Sequence, residues 1–558
     1  MLWTRELGRR FRESVFCLWL LCLVAHDAAH TDSSFELSVV HFSDFHSRYV
    51  EVAPNGGLCY EKSKCVGGIA RLSTIIKRLA SIRKNPIVLN AGDSFQGTLY
   101  YELYRGNITA HFMNLLPHDA ITLGNHDFDN HVSGLVSYLK QLKAPVLDTN
   151  IDVSGEPSLQ GLLFNSTIIE KEGRNIGIIG VIASDTDELS TTTGNVKFLA
   201  EAETINLEAA RLKSHGVDII IVLSHCGIEH DKLIAQNCPL IDVIVGGHSH
   251  ILLYNGIVHL CAYLLSDVTF FSLTRLWGLS CVSGTPPSGE KAYDKYPIVV
   301  TQETGRKVLI VHSGPFTKYI GDIRIVFNDV GEVKYWKGNP IYLDQSIKED
   351  ENIVNELKPW KIMVDKVGKQ LIGRTLIYLN NSCDSNECNF GDLITDAMID
   401  YYAAQNATIG FMTANSISNS IPVGPIFYED LYATLAYANT WDLIELRGCD
   451  LLQQSEFMNP ELIQWSGLKV TYDLKRDHSK LVNVQIRNQE SNEFKDLDKQ
   501  EWYKIVVPTY MLSDAFPTIV KKHRKIMTGK DRDLNIMIDY IKRLKVVDLK
   551  FEPRMIFI

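Results

Sequence analysis

The chain has no surplus of positive charge. Its 56 Lys and Arg stand against 66 Asp and Glu, a formal net charge of −10. It therefore lacks the basic surface that binding a nucleic-acid polymer requires. Nucleotide-sized substrates stay open, because a metal site can supply positive charge locally. Compositional bias is absent too. Hydrophobic residues are 45% and charged residues 22% of 558, which excludes collagen-like, disordered and low-complexity classes. There is no repeat of fixed period, and no pair of cysteines has the CxxC spacing of a thiolate zinc cluster. The apolar run at 15–25 has eleven residues, short of the roughly 20 that cross a bilayer. The last residues, FEPRMIFI, lack the hydrophobic tail of a GPI signal.

What is present at the N-terminus has an order. Arg5, Arg9, Arg10 and Arg12 precede the run VFCLWLLCLVA (15–25), and Ala25, Ala28 and Ala29 follow it. Basic, apolar, small is the pattern of a secretory signal peptide, here residues 1–29. It predicts an extracellular, secreted protein without a membrane anchor. Sequons at Asn107, Asn165, Asn380 and Asn406 fit that compartment. Of 11 cysteines, Cys17 and Cys22 leave with the signal; the odd remainder implies a free or intermolecular thiol. Cys59/Cys65 and Cys383/Cys388 are close pairs suited to closing small loops, and Cys226/Cys238 is read as a third.

Such a length calls for more than one domain. From Leu37 to about Val326, aliphatic runs (ELSVVHF, PIVLNAG, NIGIIGVIA, VDIIIVLSH, IDVIVGG) alternate with amphipathic stretches such as GIARLSTIIKRLASIRK (68–84). Alternating strands and helices predict an α/β layered domain over 35–344. The charged stretch 346–369 reads as a linking helix, bounded at 345–365, and 366–558 forms a second domain of different texture. Residues 257–284 do not belong to this pattern. They are apolar and aromatic without clean period 2 or 3.6, and His259, Asp267 and Arg275 interrupt any membrane span. They read as an aberrant insertion, such as a retained intron; a lineage-specific loop tied by Cys261 and Cys281 is the alternative.

Five apolar strands each end in metal-ligand residue types. HFSDFH brings Asp44 and His46, LNAGDSF brings Asp93, and ITLGNHDFD brings Asn125, His126 and Asp129. IIVLSHCG brings His225, and VIVGGHSH brings His248 and His250. In open α/β sheets, sites form at the carboxyl ends of strands, so these residues can converge. One D-x-H or G-D is a weak signal; five in succession are not. Oxygen and imidazole donors without Cys suit Zn, Mn, Fe, Mg or Co.

The succession DFH, GD, GNHDFD, SH, GGHSH resembles the calcineurin-like metallophosphoesterases, and within them the 5′-nucleotidase family. CDSNECNFGDLITDAM (383–398), WSGLKVTYDL (465–474) and YKIVVPTYMLSDAF (503–516) resemble that family's C-terminal domain. The resemblance spans 38–557 apart from 257–284, and its nearest outlines are ecto-5′-nucleotidases and secreted arthropod apyrases. It implies a four-layer α/β sandwich joined by a helix to an α+β C-terminal domain, and two divalent ions, zinc first, with Mn, Mg, Co or Ca as alternatives. Asp44, His46, Asp93 and His250 would hold one ion, with Asp93 bridging; Asn125, His225 and His248 would complete the other. His126, oriented by Asp129, would stabilise charge or donate a proton. Asp127 stands where the family commonly has Glu.

The substrate side departs from the family pattern. Tyr437 and Tyr510 stand where two phenylalanines stack on the base, and Asp514 matches a ribose-binding acid. Two substrate-binding arginines are missing: the Cys-bounded turn has Asp384, and TANSIS (413–418) has Thr413 and Ser418 where Asn and Arg would stand. The leading expectation is a secreted hydrolase of ATP, ADP and AMP, favouring ADP and ATP. A catalytically weakened nucleotide-binding protein, or a UDP-sugar or cyclic-nucleotide hydrolase, is the alternative. Oligomeric state is not legible.

Overall fold

The computed structural model describes residues 34–558 except 191, 257–284, 384–386, 458–462, 474, 477–479, 489–490, 513–520 and 551. The signal peptide, the anomalous segment, Asp384 and Asp514 therefore lie outside the described residues. The chain flanking 257–284 is tied together at its base. Tyr254 N donates to Asp294 O at 2.9 Å, and the Asn255 side chain bonds Tyr296 O.

The first half is built on two six-stranded sheets. In one, β1 (Phe35–Phe42), β2 (Pro86–Asn90) and the short β3 (Ala120–Ile121) run parallel in that order. In the other, Arg174–Ile182, β4 (Ile219–His225), β5 (Val243–Gly246) and Lys307–Val311 are successive parallel neighbours. Every second residue of a strand faces the same way, and both faces here are covered. Leu37 and Val39 of β1 meet Ile219, Ile221 and Leu223 of β4 between the sheets. Val40 and Phe42 face outward onto the helix Ile69–Ile82, whose Ile69, Leu72, Ile76 and Leu79 follow the 3–4 residue spacing of one helix face. Ile220 and Val222 face the helices Glu201–Ser214 and Ile228–Asn237. The result is a helix–sheet–sheet–helix sandwich. Strands this apolar on both faces read as continuous Ile/Val runs rather than alternating ones.

The helix Glu351–Gly368 leads to the second half, opened by Asp350, which accepts from Asn352 N. This half carries three-, five- and four-stranded sheets with helices including Asn389–Tyr401 and Asp533–Leu544. One buried apolar cluster runs from Val40 and Phe42, past Ile353 and Val364 of the connecting helix, to Phe390, Leu431 and Trp441. The halves thus share a core as well as a linker.

Cys59–Cys65 and Cys383–Cys388 are disulfide-bonded. The expected Cys226–Cys238 bond is not formed, and both thiols are buried and free. The two residues bracket the helix Ile228–Asn237. Ten residues of helix extend about 15 Å, far beyond the Cα separation of about 7 Å that a disulfide tolerates.

Candidate metal centre

Ligand-type side chains from both sheets meet at the carboxyl ends of β1 to β5. Donor atoms of Asp44, His46, Asp93 and His250 lie within 4.8 Å of one another, and so do those of Asp93, His225 and His248. Asp93 belongs to both groups. Its carboxylate lies 3.1 Å from His225 Nε2 and 3.6 Å from His46 Nε2. His250 Nε2 lies 3.5 Å from Asp44 Oδ1, and Asn125 Oδ1 lies 3.0 Å from His248 Nδ1. Three of the strands that carry these residues belong to one sheet and two to the other.

The backbone at these positions is unusual. Asp44, His46, Asp93, His248 and His250 all have left-handed φ, between 44° and 74°. Asp and His tolerate this region better than most residues, yet each instance costs on the order of 1–3 kcal/mol and persists only where the surroundings enforce it. Several contacts do so. Asp44 N and His46 N donate to Gly92 O and Asp93 O, and His248 N donates to Asp44 Oδ1 at 3.0 Å. His126 N donates to Asp93 Oδ1 at 2.9 Å. Gly124 allows that approach, since a Cβ there would sit 2.1 Å from Asp93 Oδ1.

Asp127 has a role that the motif reading did not find. Its buried carboxylate accepts from Ser94 N and Phe95 N at 3.1 Å and from Gly124 N at 2.9 Å. It therefore fastens the Asp93 loop to the Asn125–His126 turn. The spacing of Asp127 to Gly124 was visible in the sequence, but its partners at 94 and 95 were not.

The donor chemistry fits divalent cations. His225 Nδ1 lies 2.6 Å from Ala91 O and His46 Nδ1 lies 3.1 Å from Phe95 O. A carbonyl can only accept, so each Nδ1 carries the proton in the neutral ring and each Nε2 presents a lone pair to the centre. His225 Nε2 is buried and faces the Asp93 carboxylate at 3.1 Å. Burial lowers the His248 pKa to about 4 and holds His46 well below its usual value, which keeps both neutral, as ligands must be. Burial would lower His225 as well, but Asp93 overrides it and lifts the group to about 10. That pocket demands positive charge beside Nε2, which a divalent ion would provide.

His126 stands at the edge of this cluster, with Nδ1 2.7 Å from Asp129 Oδ2; the side chains are 22% and 15% exposed. Ser190 Oγ donates to the other Asp129 oxygen at 2.9 Å. Burial opposes a charge on His126, but Asp129 and Asp93 outweigh it and push the pKa up to about 9.

A cleft of about 830 Å³ opens from His126 and Asp129 into the second half, lined among others by Tyr437, Tyr510, Arg105, Lys525 and Arg532. The Tyr437 ring packs at 5.1 Å from His126 and 5.8 Å from His46, centroid to centroid. The Tyr510 hydroxyl is held by Thr413 Oγ1 and Ser416 Oγ, both at 2.6 Å. Part of TANSIS thus anchors a cleft tyrosine. Ser418 N donates to Thr434 O. The three cations of the cleft come from stretches without a motif, and no pattern in the sequence signalled them.

Two family comparisons match the chain: calcineurin-like phosphoesterase over residues 37–252, and 5′-nucleotidase, C-terminal domain, over 371–521. An apyrase of Tabanus yao is 35% identical over 578 aligned residues, covering 98% of this chain and 99% of that protein. A 5′-nucleotidase of Rattus norvegicus is 34% identical, covering 94% and 91%. Among solved structures, a 5′-nucleotidase precursor from Thermus thermophilus superposes with a TM-score of 0.76 at 30% identity, covering 94% of this chain and 99% of that one.

Proposed function

The chain belongs to the 5′-nucleotidase family of metallophosphoesterases and hydrolyses nucleotide phosphates, and on that premise we propose a two-ion centre bridged by Asp93, with the nucleoside held in the cleft beside Tyr437 and Tyr510. The observation that carries this reading is the convergence of seven donor side chains on one point, with Asp93 common to both groups. Asp44, His46, Asp93 and His250 would hold one ion; Asp93, Asn125, His225 and His248 the other. When bound, two such ions supply charge for the phosphoryl oxygens and make water a better nucleophile. Zinc suits the donor set, as do Mn, Mg and Co.

The protein's own side chains complete the reaction. His126, kept protonated by Asp129, points its free Nε2 away from that carboxylate and donates a hydrogen bond or a proton as charge develops on the leaving oxygen. Asp129 is itself fixed by Ser190, so the imidazole has one orientation. Tyr437, packed against His126 and His46, forms the wall of the cleft where it meets the donor cluster. Tyr510, locked by Thr413 and Ser416, offers a second aromatic surface. Stacking on a nucleobase is worth about 1–3 kcal/mol per base.

Arg105, Lys525 and Arg532 bear on substrate choice. Arg105 and Arg532 share a single carboxylate, Glu102, at 3.2 and 3.3 Å, so that group keeps a net positive charge. Lys525 pairs with buried Asp442 at 2.7 Å. A longer phosphate chain would reach further toward these cations than a monophosphate, although Asp187 and Glu188 line the same cleft, so ADP and ATP would gain contacts that AMP does not. The disulfides Cys59–Cys65 and Cys383–Cys388, with exposed side chains at the sequons Asn107, Asn165 and Asn406, support an extracellular site of action.

His126→Ala should lower kcat by about 10²–10⁴-fold while metal content is retained. Asp129→Asn should move the alkaline limb of the rate profile to lower pH, because loss of the carboxylate lowers the pKa of the acid. Full activity in His126→Ala contradicts the role. Initial rates at matched concentration should rank ADP and ATP above AMP, and Arg532→Ala should narrow that difference; AMP cleaved fastest refutes the polyphosphate preference. Protein made by a secretory cell should lose mass on treatment with an N-glycosidase, and no loss would count against the extracellular assignment.

A further inference from the structure

Behind His225 and His248 lies a buried polar group that the proposed reaction does not use. Ser224 Oγ donates to Asp231 Oδ1 at 2.6 Å, and His312 Nε2 lies 2.7 Å from Asp231 Oδ2. All three side chains are buried. They come from separate places. Ser224 is the penultimate residue of β4, Asp231 sits in the first turn of the helix Ile228–Asn237, and His312 follows the strand Lys307–Val311. In the second sheet β5 lies between that strand and β4. Through Asp231, Ser224 at the end of β4 is therefore linked to His312 after the strand Lys307–Val311, across the end of β5 between them.

The end of β5 has no room to spare beneath it. A Cβ on Gly246 would lie 2.1 Å from His312 Nε2 and 2.3 Å from Asp231 Oδ2. On the other side, a Cβ on Gly247 would lie 2.7 Å from Ala91 O and 2.9 Å from His225 Nδ1. The two glycines before His248 are thus threaded between two imidazole contacts. One is the His225–Ala91 hydrogen bond; the other is Asp231–His312. Ser224 links them: its Oγ accepts from Cys226 N at 3.3 Å and its carbonyl accepts from Gly247 N at 3.0 Å. Those contacts brace the residues on both sides of His225 and the one before His248.

We propose that Asp231 and His312 are a positioning pair that fixes the separation of His225 and His248, and so sets the affinity of the second ion. The pair has the form such a role requires. Asp231 is a buried acceptor whose two oxygens each receive a donor, from the Ser224 hydroxyl and the His312 Nε2–H, so it is satisfied without a salt bridge to lysine or arginine. Neither residue lines the substrate cleft. Its direct contacts fall on the ends of β4 and β5, whereas Asp44 and His46 are held by Gly92, Asp93 and Phe95, and His250 by Asp44 and His46.

The inference rests on the two-ion reading, and the experiment separates the two. The full chain is loaded with Zn²⁺ or Mn²⁺ and dialysed against graded chelator, and bound metal is counted by elemental analysis. The melting temperature of the metal-free form is recorded alongside. A wild type that never holds two ions per chain refutes the two-ion reading itself. With two ions in the wild type, His312→Leu should retain the first ion and lose affinity for the second by about 10–100-fold, the range typical when a partner of a metal ligand is removed. His312→Gln keeps an N–H donor toward Asp231 and should bind the second ion as the wild type does. Asp231→Asn reads the same pair if the leucine variant does not fold. Equal retention of both ions in His312→Leu would overturn the proposal. So would loss of both ions together with a lower melting temperature of the metal-free protein, or a glutamine variant as weak as leucine.

Discussion

The Asp93 carboxylate is the point on which the rest of the architecture depends. It is buried, and burial alone would raise its pKa. His225, His126 and His46 around it outweigh that and hold it well below the usual carboxylate range. A buried carboxylate costs several kcal/mol to desolvate unless cations or donors surround it. Here one oxygen takes the His126 N–H and the other faces two imidazole nitrogens. Those imidazoles are polarised by Ala91 and Phe95 carbonyls in the tautomer that leaves Nε2 bare. A divalent ion at the centre would supply the positive charge that this anion requires and leave both Nε2 atoms free of protons.

Holding that arrangement requires a stiff frame. Five of the ligands sit in left-handed backbone conformations, which a loose loop would not maintain. The frame is the closely packed space between two sheets of Ile, Val and Leu, from whose strand ends the ligand loops emerge. Asp127 fastens two of those loops through three backbone N–H groups, and Asp231 with His312 braces two others. The second half then brings Tyr437 onto His126 across an apolar cluster that both halves share. The donor cluster thus belongs to the first half, while the cleft beside it is lined by both halves, fixed to each other by core packing.

Much of this was legible in the sequence, for physical reasons. A strand buried on both faces must be a run of aliphatic residues, and a ligand placed at its end must break that run with Asp, Asn or His. The alternation of such runs with amphipathic stretches announced the layered domain, and five such breaks in order announced the donor cluster. The missing parts are those in which partners lie far apart in the chain. His312 and Asp231 are 81 positions apart, and a lone His in VLIVHSG gives no sign of what it touches. Asp127 was visible only as a departure from the family's Glu. Arg105, Lys525 and Arg532 converge from three unrelated stretches. The pairing of Cys226 with Cys238 failed because spacing in sequence says nothing of the rigid helix between them.

In the proposed centre, one carboxylate would join two cation sites. The most direct measurement is a crystal of the full chain grown with Mn²⁺ or Zn²⁺, with anomalous scattering recorded at the metal's absorption edge. Two peaks about 3.5–4 Å apart are expected, one among Asp44, His46 and His250, one among Asn125, His225 and His248, with Asp93 contributing oxygen to both. A single peak, or two peaks of which only one contacts Asp93, would contradict it.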